Sequence, residues 1–66
     1  METFYVTKKK YDWIVKHNDE ESELFDDSDA ATGLAKDRAR SVIASGGEAE
    51  VLVANIVGKW DRVLLD

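Results

Sequence analysis

One stretch of this chain repeats its apolar residues at helical spacing, and the rest of the fold has to be arranged around it. Ala31, Leu34, Ala35, Ala39, Val42 and Ile43 fall at offsets 0, 3, 4, 8, 11 and 12, on one face of an α-helix. Asp26 or Asp27 suits the N-cap, because a short carboxylate accepts from the free amides of the first turn. Asp29 adds negative charge where the helix dipole favours it. Gly46-Gly47 closes the pattern with the left-handed backbone that glycine tolerates. The helix is expected over about 27–45, with Lys36, Asp37, Arg40 and Ser41 in water. Gly33 weakens it by about 1 kcal/mol relative to Ala. The small residues at 30–35 predict close packing of its first turns on a sheet.

The flanking segments read as strands. Thr3-Phe4-Tyr5-Val6-Thr7 is aromatic and β-branched, with Phe4 and Val6 on one face. Lys8-Lys9-Lys10 lacks a strand pattern and is expected to turn. Residues 11–17 form the second strand, with Trp13, Val15 and His17 opposite Asp12, Ile14 and Lys16. Ser22 to Phe25 is expected as a short third strand. After the helix, residues 49–57 are apolar on both faces, so both need cover. Gly58-Lys59 signals a turn before a final strand over 60–65. The order β-β-(β)-α-β-β implies an α+β fold: a small antiparallel sheet with one helix on one face.

At 66 residues the chain makes a single domain, 1–66. A domain this small is marginal, and with no Cys it has neither disulfides nor thiolate ligands for a metal. A single helix covers about one face of the sheet. The doubly apolar strand and the tail Val63-Leu64-Leu65 are left to be covered by a second copy. The candidate dimer interface is Val53, Asn55, Val57, Trp60, Arg62 and Leu64. Trp60 leads that set, since tryptophan is often an interface hot spot.

The N-terminal aromatic strand, Trp13-Ile14-Val15-Lys16, Phe25-Asp26 before an Ala-rich helix, and Gly46-Gly47-Glu48 before a Val-rich strand stand in a familiar order. The chain resembles a family of very small bacterial and archaeal proteins known only as a domain of unknown function. Tyr5, Val6, Trp13, Val15, Phe25, Asp26, Ala31, Ala35, Ala39, Gly46, Gly47, Glu48 and Gly58 carry the resemblance. It implies a shared fold and no particular activity. The segment Phe25 to Gly47 is longer than is usual for that family by about a helical turn.

Charge bears on function. The net charge is −5, which disfavours general affinity for nucleic acid or anionic membranes. No apolar run approaches the ~20 residues of a membrane span, and residues 1–11 lack a signal-peptide core, so a cytoplasmic location without membrane contact is expected. The charge is also segregated: residues 18–29 carry seven acids and no base, beside the basic tip Lys8-Lys9-Lys10. Lys8, Lys9, Lys10, Lys16 and Tyr11 are the candidate nucleic-acid contacts, on a hairpin that could enter a groove. Asp19, Glu20, Glu21, Asp26 and Asp27 are the candidate acidic surface, able to imitate phosphates before a basic partner.

Catalytic and cofactor chemistry finds no footing. His17 is the sole histidine; Asp19, Glu20 and Glu21 are its nearest possible co-ligands. A calcium loop starting at Asp27 fails, because Ala31 and Thr32 stand where a ligand and a glycine are needed. Gly46-Gly47 closes a helix, whereas phosphate loops open one. No enzyme, metal or cofactor is expected. The expected role is a non-catalytic interaction module acting as a homodimer, with a nucleic-acid accessory protein or an acidic nucleic-acid mimic as alternatives.

Overall fold

In the computed structural model, which describes residues 1–65, the chain starts with an antiparallel hairpin. Strand β1 (Glu2–Lys9) pairs with β2 (Asp12–His17), Val6 opposite Val15 and Lys8 opposite Trp13. The turn expected at Lys8-Lys9-Lys10 therefore moves toward Lys10 and Tyr11: Lys8 and Lys9 stay in the ladder, and Lys10 takes φ 58°. Pairing Trp13 across the hairpin requires a partner at Lys8, and this overrides the weak strand propensity of lysine. A second tight turn comes at Asn18, φ 56°, a residue type that tolerates the left-handed region.

The third strand is displaced from its expected place. Strand β3 is Glu20–Glu21, paired with His17 and Lys16, while within 22–25 only Phe25 bridges to Trp13. Ser22 explains the break. Its hydroxyl accepts from the Val15 amide at 2.9 Å and donates to the Glu23 carbonyl at 2.8 Å. A side chain thus takes over a ladder bond and lets the chain bulge before Phe25 returns to the sheet.

Helix α1 (Ser28–Ala44) begins with Asp27 as N-cap, its carboxylate accepting from the Ala30 amide at 2.8 Å. It closes with both bonds of a Schellman motif: Gly47 N–H to Val42 carbonyl and Gly46 N–H to Ile43 carbonyl, each 3.0 Å, with Gly46 at φ 94°. Ala31, Ala35 and Ala39 are fully buried, whereas Ile43, expected on the same stripe, is 45% exposed. It lies in the last turn, beside an open groove at the sheet edge. Gly33 also departs from expectation. It is exposed, and a Cβ there would meet nothing within 4 Å, so close packing is not its role. Gly33→Ala is therefore expected to stabilise the fold by about 1 kcal/mol, read as a higher urea midpoint at unchanged slope.

Strand β4 (Ala49–Ala54) lies beside β1 and parallel to it, Phe4 opposite Val51. Strand β5 (Trp60–Val63) pairs antiparallel with β4 and forms one edge. The sheet order is β3-β2-β1-β4-β5, and the fold is α+β with the helix on one face. The expected antiparallel pairing describes three ladders, but the central β1–β4 pair is parallel. The helix is the cause. It returns the chain from the end where β1 finishes to the end where β1 begins, so β4 has to run in the direction of β1.

Two strand ends also fall short of their expected positions. The strand expected over 49–57 stops at Ala54, because Asn55 builds a turn: its Oδ1 accepts from the Val57 and Lys59 amides at 3.1 and 3.0 Å. That turn leaves Ile56 wholly exposed. The final strand ends at Val63 rather than 65. The core lies between helix and sheet: Phe4, Val6, Val15 and Val51 against the three alanines, flanked by Trp13, Phe25, Leu34, Val42 and Val53.

Candidate functional site: the open sheet face and the β5 edge

The pleat sorts every strand residue onto one of two faces. Phe4, Val6, Trp13, Val15, His17, Val51, Val53 and Val63 share the helix side. Tyr5, Thr7, Lys9, Ile14, Lys16, Glu21, Glu50, Leu52, Trp60 and Arg62 share the other, on which no secondary element packs among the described residues. On that open face the Tyr5 and Trp60 rings meet edge to face at 5.1 Å. With Thr7, Lys16 and Asn18 they line a shallow, open depression of about 380 Å³.

Charge on the open face is largely paired. Lys9 Nζ donates to Glu21 Oε1 at 2.7 Å, and Lys16 Nζ lies 3.8 Å from Glu21 Oε2. The hydrogen bond from Lys9 and then its charge hold the Glu21 carboxyl below the usual glutamate range against an opposing effect of burial, with the charge of Lys16 adding least. A depressed folded value stabilises the fold above the unfolded value and is lost as pH falls through the folded one. Glu21 is expected to titrate below an ordinary glutamate by NMR, and Lys9→Met is expected to return it toward that range. Nearer β5, Glu50 accepts from the Thr3 hydroxyl at 3.2 Å and lies 3.9 Å from Arg62 Nε.

The residues singled out from sequence are dispersed. Val53 of the candidate dimer set belongs to the helix side, Asn55 and Val57 to the turn, and Trp60 and Arg62 to the open face; Leu64 lies just past β5 and is 77% exposed. They do not form one surface. The period-two alternation holds only to the end of β4 at Ala54, and the turn at Asn55 reorients residues 56–59. Of the candidate nucleic-acid contacts, Lys9 and Lys16 are engaged by Glu21, while Lys8 lies on the opposite face from Lys9. Lys10 and Tyr11 occupy the exposed tip.

Nor do the candidate acidic residues share a patch. Asp19 and Glu20 lie at the end of β2, and Glu21 is paired with lysine. Asp26 and Asp27 lie near the helix start, separated from Asp19 by the length of β2, and Asp27 is the cap. His17, expected as a strand-end side chain, stacks on Phe4 at 4.3 Å and hydrogen-bonds Glu2. Among the described residues no three His, Asp or Glu side chains converge as metal ligands, and no helix is long and apolar enough to cross a membrane.

What sequence reasoning missed is the reach of the helix. Helix α1 lies over β1, β4 and β2, and among the described residues no Cα of the helix comes within 8 Å of one in β5. No family model, curated protein or solved structure matches this chain. Trp60, beyond the reach of α1, is 47% exposed on one side of β5. Ile43, Val63 and Leu65, with Glu50 and Arg62 of the open face, line a groove at this end of the sheet.

Proposed function

We propose that this chain is a small non-catalytic interaction module that acts as a homodimer, without cofactor, in the cytoplasm. The observation that carries the reading is the position of β5 outside the cover of α1, with exposed Trp60 and Leu64 beside it. The accessible surface supports it. A self-sufficient 7.4 kDa monomer exposes about 4,200 Å², whereas this chain exposes 4688 Å².

Light scattering over a concentration series tests the reading. The expected mass is twice the 7.4 kDa of one chain, and Trp60→Ala is expected to return it toward one. A wild-type mass of one chain up to millimolar concentration would discard the homodimer.

A second reading has one observation in its favour: the Tyr5–Trp60 pair beside Lys16 forms a surface on which a single-stranded base can stack. It predicts a salt-sensitive gel shift with single-stranded oligonucleotides that Trp60→Ala removes. The pairing of Lys9 and Lys16 with Glu21 and the net charge of −5 weigh against it. Absence of a shift at low salt rejects it.

A further inference from the structure

Exposed and half-buried apolar groups around β5 lie on both of its sides. Trp60 stands on the open face, while Val63 stands on the helix side; with Ile43, Leu64, Leu65 and the open-face Glu50 and Arg62, Val63 lines a groove at this end of the sheet. Stacking two open faces would cover only one of these sets. Contact along the strand edge covers parts of both, because a neighbouring strand presents side chains to either face.

The backbone is arranged for this. The Asn55 amide donates to the Lys59 carbonyl at 2.9 Å, which sets the phase of the β4–β5 ladder. Antiparallel pairing alternates, so the hydrogen-bonded pairs continue at Val53–Asp61 and Val51–Val63. The N–H and C=O groups of Trp60 and Arg62 then point away from β4, along the free edge. An edge of this kind is a template for a further strand.

We propose that two copies of this chain pair through β5, antiparallel, with the two Arg62 residues facing each other at the two-fold axis, to make one continuous ten-stranded sheet. The inference rests on the homodimer reading and assigns its geometry. This register centres the ladder on segment 60–64 and brings the outward backbone groups of Trp60, Arg62 and Leu64 together. Trp60 of each copy lies opposite Leu64 of the other, which pairs two large exposed apolar groups. The opposed Arg62 side chains repel, and Glu50, 3.9 Å from Arg62 Nε on the neighbouring strand, offsets that charge in each copy. The segment complements itself about Arg62, with Trp60 and Leu64 two residues to either side, which is why the occupant assigned to this edge is a second copy.

Amide hydrogen exchange measured by NMR over a concentration series tests the geometry without altering the chain. Exchange at Trp60 and Arg62 is expected to slow roughly tenfold or more as the dimer fills. Arg62→Pro removes one outward N–H that β4 does not use, and is expected to weaken dimerisation roughly tenfold or more while the fold persists. Leu64→Glu, at an exposed residue outside the β4–β5 ladder, is expected to do the same and serves if the proline variant unfolds. A wild-type dimer whose Trp60 and Arg62 amides exchange at the same rate at all concentrations overturns the edge geometry and leaves the homodimer standing. A wild-type monomer at every concentration overturns both.

Discussion

Phe4→Ala is expected to leave a large fraction of the chain unfolded at 25 °C. Phe4 is 3% exposed and belongs to β1, which pairs with β2 on one side and β4 on the other. Its ring stacks on His17 and packs in the cluster with Val6, Val15, Val51 and the helix alanines. Truncating a buried Phe costs about 3–5 kcal/mol, from lost transfer energy and the cavity left behind. A domain of this length has roughly 3–10 kcal/mol of stability in total. The core cannot collapse to refill the space, since the opposing helix residues are alanines with no side chain to extend. Urea unfolding monitored by circular dichroism measures the loss. A cooperative transition within about 1 kcal/mol of wild type would mean that the Phe4 site repacks.

Gly47→Ala is expected to cost about 1–3 kcal/mol, opposite in sign to Gly33→Ala. A Cβ at Gly47 would lie 2.9 Å from Val42 Cγ1 and 3.3 Å from the Val42 carbonyl oxygen. Neither neighbour yields cheaply. Valine in a helix is held to one strongly preferred rotamer, and the carbonyl accepts the Gly47 amide that closes the helix. Relief of the clash therefore breaks the cap, and the last turn frays. Faster amide exchange at Gly46 and Gly47, with a lower urea midpoint, reads out both effects. An unchanged midpoint would show that the turn from α1 into β4 shifts freely. The sequence shows all these glycines alike; only their surroundings separate a stabilising substitution from a damaging one.

The same distinction runs through the whole molecule. The hairpin faces, the helix with its Asp27 cap and its Gly46 terminus, and the burial of Ala31, Ala35 and Ala39 are legible in the sequence because each obeys local rules: periodicity, capping and backbone tolerance. Expectation fails where a non-local partner outweighs local propensity. Lys8 and Lys9 are poor strand formers, yet they extend β1 because Asp12 and Trp13 lie opposite them. Ser22 and Asn55 look like ordinary polar residues, and each ends regular pairing by bonding the backbone with its side chain. The candidate interface is dispersed for this last reason: period two does not survive the turn at Asn55.

By itself, the sequence determined that this chain makes an α+β fold, with one amphipathic helix and more apolar strand surface than that helix can cover. The tertiary structure alone decided that β4 inserts parallel to β1, that the helix stops short of β5, and that Trp60 and Leu64 stay exposed at that strand edge. Hydrophobic periodicity reports which residues seek burial. Which neighbour buries them depends on the order of strands, and that order is set by contacts between segments far apart in the chain.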